Sequence, residues 1–153
     1  MKKIIMIIAL LTASFSVAII SCKKNDKQTN ISKAGETLSH NMGTNCMDCH
    51  KSGGSGKGAF QVAGTAYDSL KIAAFSNVTV RLYSQSNGGG QLVATVYGDA
   101  NGNFFTTETV DFSADLYPAV EGTSGKIKYM LSSANTGTCN SCHGNSIAKI
   151  WTK

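Results

Sequence analysis

Short segments rich in apolar residues, with turn-forming runs such as 87–90 and 99–103 between them, fill residues 60–133 and constrain the fold more than any other feature of the chain. Polar and apolar residues alternate in segment 78–83, so Val78, Val80 and Leu82 should face a core. No sustained 3.6-residue apolar period occurs in this region. The pattern predicts an all-β fold, a small antiparallel Greek-key β-sandwich of six to seven strands in one domain. The predicted core residues are Val62, Val78, Val80, Leu82, Val93 and Ile127.

Three stretches of this region carry a family resemblance: VAGTAYD at 62–68, NVTVRLYS at 77–84 and QLVATVYGDANGNFFTT at 91–107. They resemble the carboxypeptidase regulatory-like, transthyretin-type β-sandwich modules, which share a V-x-G-x-V-x-D strand, a V-x-V-x-L strand and a D-x-x-G-x-F hairpin. The resemblance implies a sandwich fold and no particular chemistry, because a fold of this kind hosts many functions. The segments that flank the sandwich must therefore supply the function.

The first 22 residues indicate export. A Met-Lys-Lys start precedes an uncharged apolar run at 4–20, which is the layout of a secretory signal. The following Ile-Ile-Ser-Cys at 19–22 resembles the lipobox of bacterial lipoproteins, in which the cysteine is acylated and becomes the N-terminus. We therefore predict a signal peptide at 1–21 and a lipid anchor on Cys22, which holds the protein in the outer membrane of the cell envelope, facing the periplasm or the surface. A spanning helix and an ordinary cleaved signal are the alternatives.

The charge of the chain argues against a nucleic-acid partner. Without the signal peptide, 12 basic residues stand against 9 acidic ones. Four of these lysines lie in the polar segment 22–37, which we expect to be a flexible tether. The remaining body carries a net charge of only about +1, whereas a nucleic-acid-binding domain needs a dense basic face.

Two copies of one motif bracket the strand region: NCMDCH at 45–50 and TCNSCH at 138–143. With Cys22 lipidated, these motifs contain all four remaining cysteines. A C-x-x-C-H motif is typical of c-type haem attachment, in which both thiols bind the macrocycle and the histidine ligates iron. Alternatively, the four cysteines could hold a structural zinc ion, which leaves both histidines unexplained, or form disulfides or a redox dithiol.

Export and the two adjacent histidines favour haem, because c-type haem is assembled outside the cytoplasmic membrane in bacteria. The chain resembles lipid-anchored c-type cytochromes that are built on a β-sandwich. The resemblance implies an electron-transfer protein that is not an enzyme and that carries two haems. The expected partners are redox proteins of the envelope, and association between copies of the chain is an open alternative. The alternative is a non-redox surface lipoprotein whose cysteine pairs bind zinc or form disulfides. The expected haem-binding segments are 38–59, with Cys46, Cys49 and His50, and 134–153, with Cys139, Cys142 and His143.

The histidine count limits the distal ligands, which bind each iron on the face opposite the motif histidine. The chain has three histidines, so at most one haem can be ligated by two of them. His40 is the spare imidazole and the predicted distal ligand of one haem. Met130 is the candidate for the other haem, with Met42 as a second choice; alternation places Met130 outward, and Ile127 and Leu131 inward. An even count of six strands should bring the two motifs close together.

Overall fold

Eight strands form two sheets in the computed structural model, which describes residues 28–153. The all-β prediction is confirmed, since helix in this part of the chain is limited to α1 (Cys139–Cys142) and two 3-10 turns (Cys46–Asp48 and Ser86–Gly88). The predicted signal peptide and the lipidation site Cys22 lie outside the described residues. The strands are β1 (Val62–Tyr67), β2 (Thr79–Tyr83), β3 (Leu92–Tyr97), β4 (Asn103–Thr106), β5 (Tyr117–Glu121), β6 (Ile127–Tyr129), β7 (Gly137–Thr138) and β8 (Ile150–Trp151).

The first sheet has the order β3-β2-β5-β6, and all of its pairs are antiparallel. On the inner strand β2, Val80 lies directly opposite Val96 on β3 and Val120 on β5. Residues that are paired across strands share a face of the sheet. The three valines therefore form a row, and they belong to the buried core together with Val62 and Phe104 of the second sheet.

The second sheet is built on β1, which pairs with β4 in antiparallel fashion. The short strands β7 and β8 also pair with β1, and both run parallel to it. The prediction of an exclusively antiparallel sandwich is therefore wrong at this edge. Strands of two residues are too short to show alternation, so the sequence pattern does not reveal them. Segment 134–153, which we expected to flank the sandwich, instead supplies two of its strands.

The predicted core is confirmed in part. Val62, Val78, Val80 and Leu82 are at most 4% exposed. The prediction is wrong for Val93 and Ile127, which are 36% and 39% exposed. Because Val96 on β3 is opposite the buried Val80, alternation places Ala94 on the core face as well and turns Val93 to the solvent.

The orientation predicted for β6 is reversed in the structure. Lys128 lies opposite the buried Val120, so Lys128 is on the core side of the strand. Ile127 is on the outer side, and Leu131 is 95% exposed. Alternation along this stretch therefore turns Met130 toward the space between the sheets. Hydrophobicity misled the prediction, because a lysine on the core side of a strand is rare.

Part of segment 22–37, predicted to be a flexible tether, packs against the sheets. Ile31 forms a bridge with Thr106 of β4. Ser32 is 1% exposed, and its backbone N–H donates to the carbonyl oxygen of Phe105 at 3.0 Å. The prediction is wrong for this stretch, because even a polar segment can pair its backbone with an open sheet edge. Within residues 28–153, no helix has the length and apolar character needed to cross a membrane.

Candidate functional site

Each C-x-x-C-H motif winds through about one helical turn. The first forms the 3-10 turn Cys46–Asp48, and the second forms α1. In both motifs the backbone N–H of the histidine donates to the carbonyl oxygen of the first cysteine, at 2.9 Å for His50 and 3.0 Å for His143. Residues at positions i, i+3 and i+4 of a helical turn share a face. The spacing of the motif therefore brings its two thiols and its imidazole together.

The two motif histidines are held in the same way. Nδ1 of His50 is 3.0 Å from the carbonyl oxygen of Lys57, and Nδ1 of His143 is 2.6 Å from the carbonyl oxygen of Ala148. A carbonyl oxygen can only accept, so Nδ1 of the neutral ring carries the proton and Nε2 keeps its lone pair. A hydrogen bond of this kind orients metal-ligating histidines. Both rings are therefore arranged to bind a metal through Nε2.

The first motif opens onto a cavity of about 410 Å³, here called the first cavity, which is lined by Cys46, Cys49, His50 and also His40. The ring centroids of His40 and His50 are 6.1 Å apart. Two imidazoles that bind one metal ion from opposite sides, through bonds of about 2 Å, lie at a similar separation. The backbone of His40 is fixed by Asn103 of β4, whose side chain donates to the His40 carbonyl oxygen at 3.2 Å. The structure thus brings the two histidines together, and their roles as ligands stay predictions.

Phe60 and the glycine-rich loop 51–58 fix the His50 ring. Phe60 stacks on this ring with 4.1 Å between centroids and 4° between planes, and it stacks in turn on Phe105 of β4 at 4.8 Å. Gly56 also lies against the ring, since a Cβ at this position would be 2.6 Å from two His50 ring atoms. A side chain at position 56 would displace the imidazole, which explains the need for glycine there.

The second motif interrupts an edge strand of the second sheet. β7 pairs with Val62 and Ala63 of β1, and β8 pairs with Ala66 and Tyr67. Two residues of β1 separate these pairs, whereas the 11 residues 139–149 separate β7 from β8. The second motif therefore lies in a loop that leaves the sheet edge after β7 and returns to it at β8, so strand pairing anchors both ends of the loop.

Asn140, which directly follows Cys139 in the second motif, makes the hydrogen bonds to β1 that a neighbouring strand would otherwise make. Its Oδ1 accepts from the backbone N–H of Thr65 at 3.1 Å, and its Nδ2 donates to the Thr65 hydroxyl at 3.1 Å. The same Nδ2 donates to the carbonyl oxygen of Thr44 at 2.9 Å, two residues before Cys46. Asn140 is only 6% exposed, so its two bonds to Thr65 form away from water. One buried amide thus links the two motif segments. They lie close together as expected, but the reasoning from six antiparallel strands is wrong, since a seventh strand, β7, which runs parallel to β1, precedes the second motif.

A cavity of about 460 Å³, the second cavity, lies between β5 and β6 on one side and β7, α1 and β8 on the other. It is lined by Cys139, Cys142 and His143, and also by Met130, which the reversed orientation of β6 turns toward it. Met42, the second choice for a distal ligand, is 55% exposed and lines neither cavity. The structure thus places Met130 and His143 on one cavity, and their roles as iron ligands stay predictions.

The four motif thiols are unpaired, and burial makes them unequal. Cys49 and Cys142 are exposed. Cys139 packs against the hydrophobic core, and burial raises its pKa to about 12. Burial also raises the pKa of Cys46. Because the thiolate is the reactive form, the first cysteine of each motif should be the less reactive one in the folded chain.

Among residues 28–153, no three His, Cys, Asp or Glu side chains are grouped closely enough to hold a metal ion by themselves. Comparison of the chain with protein-family models, curated proteins and solved structures finds no match. The resemblances to transthyretin-type modules and to c-type cytochromes therefore stay predictions. The function must be inferred from the geometry of the two motifs and their cavities.

Proposed function

We propose that this protein is an electron carrier of the cell envelope that binds two c-type haems covalently, one at each C-x-x-C-H motif. Haem supplies an iron that alternates between the ferric and ferrous states and so carries one electron at a time. The residues assigned to the first haem are Cys46, Cys49 and His50, and those assigned to the second are Cys139, Cys142 and His143.

The shared orientation of the two motif histidines carries this proposal. In two segments with different surroundings, Nδ1 is hydrogen-bonded to a backbone carbonyl oxygen, Nε2 keeps its lone pair, and the ring lines a cavity together with two thiols. A zinc site made of four cysteines gives these histidines no role. A covalently attached haem requires one histidine beside each pair of thiols. The donor set at each cavity therefore fits haem.

The thiols present also fit the attachment chemistry. Each thiol adds across one vinyl group of the macrocycle: a carbon–sulfur bond forms, and the thiol hydrogen passes to the neighbouring carbon. No oxidant or reductant is consumed in this addition. Cys49 and Cys142 are exposed and accessible in the folded chain. Cys139 packs against the core, so we expect its bond to form before the second motif completes its packing.

The two cavities offer different distal ligands. His40 lines the first cavity, so we propose a low-spin haem with two histidine ligands there. Met130 lines the second cavity, so we propose a haem there that is methionine-ligated or open. Methionine ligation raises the reduction potential of a haem. Two adjacent haems of unequal potential would give the chain a direction for internal electron transfer.

The position of the protein in the cell belongs to the same proposal. Cys22 would carry a lipid anchor in the outer membrane, and other redox proteins of the envelope would be the partners. The β-sandwich, with the Greek-key topology proposed from its transthyretin-like segments, would hold the two haems in a fixed arrangement. The two-sheet architecture and the hydrogen bond between the motif segments support this fixed arrangement of the two haem sites.

Intact mass and a pyridine haemochrome spectrum of the exported protein test the proposal. We expect the mass of the lipidated chain plus two haems. Replacing both cysteines of one motif with alanine, Cys46→Ala with Cys49→Ala or Cys139→Ala with Cys142→Ala, should remove one haem and leave the other. A mass equal to that of the bare lipidated chain, with bound zinc or with disulfides, would contradict the proposal and favour a non-redox surface lipoprotein.

A further inference from the structure

Three lysines gather around two aromatic rings beside the second cavity. Nζ of Lys128 is 3.2 Å from the ring centroid of Trp151, and Nζ of Lys71 is 5.7 Å from the same centroid. Nζ of Lys149 is 4.0 Å from the ring centroid of Tyr67, which pairs with Trp151 across the sheet. We call Lys71, Lys128 and Lys149 the lysine cluster. The roles proposed for the haem ligands do not explain it.

Two members of the lysine cluster line the second cavity from opposite walls. Lys128 approaches it from the core side of β6, opposite the buried Val120. Lys149, the residue before β8, lines the opposite wall, while its Nζ donates to the carbonyl oxygen of Lys71 at 3.2 Å. A charged side chain on the inner side of a sheet is unfavourable unless an opposite charge compensates it. Because Lys128 is half-buried, part of this cost applies to it, and an anion in the cavity would offset that part.

The described residues provide the lysine cluster with no counter-ion. The ion pairs found among residues 28–153 are Lys33–Glu36 and Arg81–Glu121, and neither involves the cluster. The titratable side chains that line the second cavity are Lys128, Tyr129, Cys139, Cys142, His143 and Lys149, with no carboxylate among them.

The aromatic rings compensate for little of this charge. The ammonium groups of Lys71 and Lys128 are less than 9 Å apart, because both lie close to one ring centroid. This distance is about one Debye length at physiological ionic strength, so their repulsion is only partly screened. A contact between an ammonium group and an aromatic ring attracts the cation but neutralises none of its charge.

We propose that the ammonium groups of Lys128 and Lys149 bind the carboxylate side arms of the haem held at Cys139 and Cys142. This inference rests on the proposed function. A haem carries two carboxylates as well as its two vinyl groups, so a cavity that contains the thiols must also receive the carboxylates or direct them to its mouth. Lys128 and Lys149 are the lysines that line it. Charge-assisted hydrogen bonds to carboxylates are among the strongest in proteins.

The midpoint potential of the second haem, measured as a function of pH, tests this inference. The full two-haem protein is compared with Lys128→Gln and with Lys149→Gln, and the second haem is identified by its loss in the variant Cys139→Ala with Cys142→Ala. Each ammonium group favours both the reduced iron and the ionised carboxylates. We therefore expect a lower potential in both variants. Without the ammonium group the haem carboxylates should ionise at a higher pH. The pH above which the midpoint potential declines should therefore rise by roughly one unit or more.

Lys126→Gln is the matched control, because it removes the same charge two residues before Lys128 from a side chain that does not line the cavity. We expect a much smaller change there. Unchanged potentials in Lys128→Gln and Lys149→Gln, with both haems present, would overturn this inference and leave the proposed function intact.

Two further outcomes would also overturn the inference. Increased self-association of Lys128→Gln without a change in potential would mean that the inward lysine only protects the edge strand β6 from pairing. Slower electron exchange with an acidic protein at an unchanged potential would mean that the lysines dock a partner. Absence of haem from the second motif of the unaltered protein would overturn this inference and the proposed function together.

Discussion

The two motifs share a local geometry but differ in how the rest of the protein supports them. The first lies before β1 and is held by side-chain packing, through the stack of His50, Phe60 and Phe105. The second is an excursion from the sheet, held by β7, β8 and the buried amide of Asn140. A C-x-x-C-H turn and a histidine–carbonyl bond can therefore be supported by aromatic stacking or by strand pairing.

This difference has consequences for stability and reactivity. The second motif is part of the sheet edge, so changes near it should destabilise the whole fold. The first motif is packed onto the fold, so changes near it should affect the His50 ring and leave the global free energy of unfolding nearly unchanged. Substitutions near each motif and the reactivity of the motif thiols should reveal this difference.

The largest expected contrast is in thiol reactivity. Burial raises the pKa of Cys139 from 9.0 to about 12, which lowers the thiolate fraction near neutral pH about a thousandfold. In protein produced without its signal and without haem, Cys139 should therefore be alkylated about a thousand times more slowly in the folded chain than in denaturant. Peptide mass spectrometry gives the rates, with the exposed Cys142 as the internal control. Equal protection of both thiols would contradict the packing of the second motif.

The same pKa shift predicts a pH dependence of stability in the haem-free protein. The raised pKa means that the folded chain keeps Cys139 protonated at a pH where the unfolded chain releases the proton. The contribution of this thiol to stability is therefore present below about pH 9 and is lost as the pH rises toward about 12. Denaturant unfolding between these pH values measures the loss, and Cys139→Ala should abolish this component.

Asn140→Ala should have the next largest effect. It leaves the buried backbone N–H of Thr65 without its partner and removes the part-buried bond to the carbonyl oxygen of Thr44. We expect a loss of about 2–4 kcal/mol in the free energy of unfolding. Asn45→Ala is the matched control in the first motif. It removes a helix cap to Met47 worth about 1 kcal/mol or less and an exposed hydrogen bond to Asp48. Similar losses in both variants would mean that the motifs are supported alike.

Gly64→Ala tests the packing of the second motif on β1. An added Cβ would lie 2.9 Å from Cβ of Cys139 and 2.5 Å from the ring of Phe104. Because these neighbours are packed in the core, we expect a loss of about 1–3 kcal/mol. The same variant should bind the second haem less completely than the first. Unchanged stability and full haem content would contradict the contact between Gly64 and the motif.

Gly56→Ala is the corresponding change at the first motif and should have the smallest effect on stability. The added Cβ would displace the His50 ring, which packs outside the hydrophobic core, so we expect a loss of less than about 1 kcal/mol. The ring should nevertheless tilt, and only the spectrum of the first haem should change. A change in the spectrum of the second haem would show that the two sites are not independent in this respect.

Alternation along the chain was sufficient to predict the all-β class and the buried positions on β2. It failed on β6, where the side chain on the core side is Lys128, because the pattern assumes that inward residues are apolar. It could not detect β7 and β8, which have two residues each. Their pairing with β1 depends on contacts between residues that are more than 70 positions apart.

The site was predictable where its chemistry is local. The thiols and histidines of both motifs follow from the C-x-x-C-H spacing, and His40 follows from the histidine count. Asn140 was missed because its partners Thr65 and Thr44 are 75 and 96 residues away. Phe60 was missed because apolar residues beside a strand are usually assigned to the core. The burial of a polar motif residue such as Asn140 can be recognised only from the three-dimensional structure.

The ferric-state electron paramagnetic resonance spectra of two single-haem variants test the central claim most directly, namely that the two motifs hold haem in unequal sites. The variant that keeps only the first motif should show a low-spin haem with two histidine ligands. Adding His40→Ala should convert that haem to high spin and raise its potential. The variant that keeps only the second motif should not respond to His40→Ala. Identical spectra from the two variants, or a first haem that His40→Ala leaves unchanged, would contradict the account.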